Sequence, residues 1–158
     1  MKKKAKIIIG VMVIVILLTA LLGLIGLFSN RPYTKVLEVN WGIDLPEAGA
    51  KEVYAFSEPS FHGDGIRYHV IDYPAGNETK KIQNAMFQIE KVFAEAAIPT
   101  EGQIADAEER LKGIDIPGDS LPDWSKCQLV YRKQQDNSEL YLFYRSETGT
   151  IYIVESFL

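Results

Sequence analysis

Residues 7–28 constrain this chain more than any other stretch. Ile7 to Phe28 is a run of 22 residues in which Thr19 is the only polar side chain. Wound as a helix at about 1.5 Å per residue, such a run measures roughly 33 Å. A hydrocarbon core is about 30 Å thick and takes about 20 apolar residues. Inside lipid every backbone N–H and C=O needs a partner within the segment, and a helix supplies them. The run is therefore expected to be a transmembrane helix.

Its flanks set the orientation. Lys2, Lys3, Lys4 and Lys6 precede the run, and only Arg31 and Lys35 follow it closely. Basic residues stay on the cytoplasmic side. The expected organisation is a cytoplasmic basic stub over 1–6, a single span over 7–28, a linker over 29–32, and an extracytoplasmic globular domain over 33–158. A cleaved signal peptide would also start basic, but its apolar core is usually about 7–15 residues long. The exit Leu27-Phe28-Ser29-Asn30-Arg31 has no small-x-small cleavage site, and the only cysteine, Cys127, is too far away to carry a lipid at the anchor. A signal anchor in the cell membrane is the expectation.

Charge divides unevenly across that span. Beyond the four early lysines, 13 Lys and Arg stand against 21 Asp and Glu, a net charge of −8 for the outer part. An acidic surface repels nucleic acid and anionic headgroups, so nucleic-acid partners are discounted. The outer part is long enough to bury a core without disulfides or a structural metal. A lone cysteine cannot form an internal disulfide, and Cys127, opening the run Cys127-Gln128-Leu129-Val130-Tyr131, is expected to be buried.

Along the outer domain, Tyr33 to Asn40 reads as a strand on its β-favouring Tyr33, Thr34, Val36 and Val39. Lys51 to Phe56 and Ile66 to Tyr73 read as two more. The period then changes. Ile82, Ala85, Met86, Ile89, Val92, Phe93, Ala96 and Ala97 recur every three or four residues, the stripe of an amphipathic helix. Asn77 is the expected N-cap and Pro99 the stop. Thr100 to Leu111 reads as a second, short helix. Gln128–Lys133, Glu139–Arg145 and Thr150–Phe157 read as a three-stranded meander, its second turn closed by Gly149 in a left-handed conformation. The order β-β-β-α-α-β-β-β predicts an α+β fold: a mostly antiparallel sheet with one or two helices on one face. Ile151, Val154 and Phe157 do not alternate strictly, which predicts a sheet covered over part of both faces. Tyr131, Tyr141, Tyr144 and Tyr152 are expected as half-buried sheet residues.

One stretch concentrates chemistry. Phe61, His62, Gly63, Asp64 and Gly65, with His69 a few residues on, hold both histidines of the chain and an aspartate between two glycines. Gly-Asp-Gly before a strand is foremost a tight turn, in which Asp bonds its own backbone. The alternative is a ligand or partner site. Imidazole and carboxylate together can bind a metal or move a proton, and His62, Asp64 and His69 would match the three protein ligands of a catalytic zinc. No cofactor is otherwise implied. Ser57, Ser60 and Ser120 lack the setting of a hydrolase nucleophile, and no phosphate-binding glycine loop is present.

The Phe61-His62-Gly63-Asp64-Gly65 stretch, followed by a strand ending in Asp72, resembles a motif in small uncharacterised membrane-anchored proteins of Gram-positive bacteria. Val39-Asn40-Trp41-Gly42-Ile43-Asp44-Leu45 is similar to their opening segment. Leu121-Pro122 and Thr150-Ile151-Tyr152-Ile153-Val154-Glu155 are similar to their closing parts. The chain departs at Ser57-Glu58-Pro59-Ser60, where those proteins often carry Thr-His-Gly-Gly. That family has no known activity, so the resemblance implies a shared fold and a shared special loop. The functional expectation is a membrane-tethered, non-enzymatic binding or accessory module with an envelope protein as partner. The alternative is a metal-assisted enzyme using His62 and Asp64.

Overall fold

The computed structural model describes residues 12–14, 16–19, 31–58, 64–73 and 79–158. Residues 12–14 and 16–19 are helical, and the Thr19 hydroxyl donates to the Ile16 carbonyl at 2.9 Å. Most of the expected span over 7–28 lies outside the described residues. Among the described residues no helix is long and apolar enough to cross a membrane. The chain divides into two compact units, Met1–Pro32 and Tyr33–Leu158. The second carries the fold.

Its elements are α1 (Tyr33–Trp41), β1 (Lys51–Ser57), β2 (Gly65–Asp72), α2 (Lys80–Val92), α3 (Glu101–Leu111), β3 (Gln128–Lys133), β4 (Glu139–Arg145) and β5 (Thr150–Phe157). Two single-turn 3-10 helices, Gly118–Ser120 and Trp124–Lys126, precede β3. The fold is α+β. Its five strands form one sheet in the order β1-β2-β5-β4-β3, and every neighbouring pair is antiparallel.

The segment expected as the first strand is the helix α1, so the sheet has five strands rather than six among the described residues. Thr34, Leu37 and Trp41 are its buried residues. That spacing of three and four is a helical face, and it overrides the β-propensity of Val36 and Val39, which is a weak and context-dependent preference. Gly42 ends the helix at φ 64°, its N–H donating to the Glu38 carbonyl at 2.8 Å, the left-handed cap that glycine adopts without strain.

The amphipathic helix α2 is shorter than its apolar stripe. Its N-cap is Thr79, not Asn77, and it ends at Val92. Ala97 then runs extended and bridges to Leu129 of β3, so the helix stops seven residues before Pro99 because the chain is recruited to the sheet edge. The second helix, α3, starts on a capping box: Gln103 N–H donates to the Thr100 hydroxyl, and the Gln103 side chain accepts from the Thr100 N–H. Two orphan donors of the first turn are satisfied in this way.

Helices cover both faces of the sheet, not one. On one face α1 and α2 place Leu37, Trp41, Ile89 and Phe93 against Ile71, Leu140, Leu142, Ile151 and Ile153. On the other, Ala107 and Leu111 of α3 join Trp124 and Cys127 over Tyr68, Val70, Phe143, Tyr152 and Val154. Adjacent residues of β4 and β5 enter opposite cores, as the two-residue period of a strand requires. The last strand is buried on both sides, in line with its irregular alternation. Tyr141, Tyr144 and Tyr152 are buried more deeply than expected, while Tyr131 on edge strand β3 stays exposed.

Candidate functional site

Phe61, His62 and Gly63 lie outside the described residues. Asp64 directly precedes β2, and Gly65 opens that strand with φ 115°. The local chemistry of Gly65 is structural. Glu58 at the end of β1 reaches back to it. Its backbone N–H donates to the Ile66 carbonyl at 2.9 Å, and its Oε2 accepts from the Ile66 N–H at 3.1 Å. A Cβ at position 65 would stand 2.9 Å from the same Oε2. Replacing Gly65 by alanine is expected to cost about 1–2 kcal/mol, through the positive φ and this crowding. Denaturant unfolding measures it. A Gly65→Ala protein as stable as the parent would remove the structural reason for that glycine.

His69 belongs to a different place. Five residues of extended chain separate it from Asp64, roughly 16 Å at about 3.3 Å per residue. It is buried on the α1 face of the sheet, with its ring stacked on Tyr33 at 3.3 Å between centroids. Its Nδ1 lies 2.6 Å from Oε1 of Glu52. A carboxylate only accepts, so Nδ1 carries the proton and donates. Burial lowers the imidazole pKa, the Glu52 carboxylate opposes that fall, and Arg67 adds to it. His69 is thus neutral near pH 7, and its bond to Glu52 is a neutral donor on a carboxylate. Its Nε2 makes no hydrogen bond among the described residues. Asp64 and His69 do not share a ligand. Among the described residues no three His, Cys, Asp or Glu side chains converge as metal ligands.

The same face holds a feature the sequence reading passed over. Glu155 in β5 is wholly buried. Its Oε1 accepts from the indole N–H of Trp41, and its Oε2 makes no hydrogen bond among the described residues. Arg67 is its cross-strand partner by register but lies over the Phe157 ring at 4.4 Å instead of pairing with it. Burial pushes the Glu155 carboxyl up to about 8, so it is protonated at neutral pH. The signal available in sequence was one acidic residue after four consecutive apolar ones in the last strand. The contact also joins two stretches on which the resemblance rests, Val39–Leu45 and Thr150–Glu155.

On the opposite face a second polar group ties α3 to the sheet. Arg110 donates to Glu139 and to the Ser156 hydroxyl, the latter at 3.0 Å. Glu139 also accepts from the Tyr131 hydroxyl at 2.8 Å and the Lys133 ammonium at 3.1 Å. A carboxylate with this many donors is a satisfied strut between α3, β3 and β4, and Arg110 extends it to β5. Cys127 is buried as expected, and burial pushes its thiol up to about 11, far from the range of a reactive thiolate.

These side chains hold helices on a sheet. Neither His69 nor Glu155 opens to solvent. What the surface offers is open grooves. One of about 500 Å³ lies between the Gly42–Asp44 loop and the end of α2. Another of about 550 Å³ lies beside β1. No protein-family model matches the chain, and neither the curated proteins nor the solved structures yield a match.

Proposed function

We propose that the chain is a membrane-tethered extracytoplasmic module that binds another protein of the cell envelope and carries out no chemistry of its own. One observation supports the binding reading above others. His69, Glu155 and Cys127, the groups best suited to proton transfer or nucleophilic attack, are buried and engaged in holding elements together. Catalysis needs such groups within reach of a substrate. The tethering rests on the apolar run over 7–28 and the lysines before it. The net charge of −8 favours protein partners over nucleic acid.

The test is made in cells on the full chain. Photo-reactive side chains are placed one at a time on exposed positions of the domain, and protease is added to intact spheroplasts. The expected result is an adduct of one defined mass in the membrane fraction and a domain digested from outside. A domain protected from external protease overturns the orientation. The absence of an adduct from every surface position overturns the binding module.

A further inference from the structure

The sheet has two edges, β1 and β3, and the fold treats them differently. Edge β3 is closed. Ala97 N–H donates to the Leu129 carbonyl at 3.3 Å and Leu129 N–H to the Ala97 carbonyl at 2.8 Å. Further along, Arg132 and Gln134 donate to the Trp41 and Asn40 carbonyls, each at 2.6 Å. Edge β1 pairs only with β2 among the described residues. An unpaired strand edge is a row of donors and acceptors ready to take another strand.

The register of β1 slips between Glu52 and Tyr54, which makes Val53 the extra residue of a bulge. A bulge re-aims a side chain and limits regular pairing. Here it leaves Tyr54–Ser57 as the straight stretch. Val53, exposed, is turned toward the groove of about 550 Å³, whose apolar lining is completed by Val70, Leu121 and Tyr152. Edge and groove together have the layout of a strand-addition site: backbone bonds along the edge and a pocket for a side chain of the added strand.

Charge selects the occupant. The acids on and around this edge are Glu52, Glu58, Asp72, Asp115 and Asp119, against Lys51, Arg67 and Arg145, and Arg145 already pairs with Glu147. A second copy of this chain would bring the same acidic surface to the contact, so self-pairing is disfavoured. We propose that the free edge of β1 and its adjoining groove dock an extended, lysine- or arginine-rich segment of a partner protein by strand addition. The inference rests on the binding-module reading and names its surface and the chemistry of its partner.

Two arms test it on the full chain. In zwitterionic detergent, the hexapeptide Lys-Val-Lys-Val-Lys-Val is titrated while backbone hydrogen exchange is followed. The expected result is slower exchange confined to β1, affinity that falls with added salt, and binding at least tenfold weaker in Val53→Lys. That exposed substitution leaves the cores intact. The acidic counterpart Glu-Val-Glu-Val-Glu-Val should leave β1 unchanged. Protection elsewhere, unchanged exchange in β1, or equal binding of the two peptides overturns the inference. In cells, a photo-reactive side chain at position 53 should yield an adduct whose cross-linked peptide is basic. An adduct with a second copy of the chain, or with an acidic segment, overturns it. Adducts from other faces with none from position 53 also overturn it while leaving the binding module standing. The absence of adducts from every face overturns both.

Discussion

Replacing Glu155 by glutamine is expected to make the folded domain markedly more stable above pH 8 and to flatten its stability between pH 6.5 and 8. The carboxyl has an ordinary value of 4.5 and is pushed up to about 8 by burial beneath Trp41. The native state therefore holds a proton that the unfolded chain has already released. Stability is full below the unfolded value, falls as pH rises, and levels off once pH passes the folded value. At 1.36 kcal/mol per pH unit the whole fall is about 5 kcal/mol, of which roughly 2 kcal/mol lies between pH 6.5 and 8. Glutamine keeps the shape and still accepts from the Trp41 indole, but it has no proton to lose. His69 acts in the other direction. Its pKa is lowered on folding, so its contribution is lost only as pH falls below 6.5, where the unfolded imidazole takes up a proton. Both proteins share that acid limb. Denaturant unfolding of the full chain in detergent, followed by tryptophan fluorescence from pH 5 to 9, separates the two. Parallel stability curves for parent and Glu155→Gln would sink the buried-acid account.

The second large effect is expected at Gly149. It turns the chain from β4 into β5 at φ 71°, and its carbonyl accepts from the Tyr73 N–H at 2.9 Å. An added Cβ would collide with the carbonyl oxygen of Tyr73. Backbone cannot step aside as a flexible side-chain end does. Alanine here carries the left-handed penalty of about 1–2 kcal/mol, and the collision brings the expected cost to roughly 2–4 kcal/mol. Gly42 makes a useful control. Its φ is 64°, but nothing lies within 4 Å of an added Cβ. Gly42→Ala should cost only the conformational part. Equal losses at the two positions would show that the Tyr73 contact is immaterial.

The difference between those two glycines marks what could be read from residues. Gly149 was legible as the left-handed residue of a hairpin turn, because it closes the short polar turn Ser146-Glu147-Thr148-Gly149 between two strand-forming runs. Its contact with Tyr73 was not, since that arises from the junction of β2 with β5, residues 76 positions apart. The candidate site divides in the same way. Gly65 was legible as a special backbone position, and its reason, the Glu58 side chain folded back on the hairpin, is local. His69 was grouped with Asp64 because the two are near in sequence. An extended strand carries neighbours in sequence apart and hands His69 to Tyr33 and Glu52 instead.

Local periodicity alone determined four of the strands to within a residue, the fifth to within one at each end, and the presence of α2 and α3. Turn chemistry and the two- and four-residue repeats are properties of neighbouring residues, and they need no tertiary partner to be expressed. Only the tertiary structure decided that Tyr33–Trp41 is a helix, that helices cover both faces, and that β5 lies in the centre of the sheet with Glu155 sealed under Trp41. Each of those rests on contacts between distant parts of the chain. Burial against a particular partner, rather than intrinsic preference, sets the conformation of a short ambiguous segment and the charge state of a buried acid.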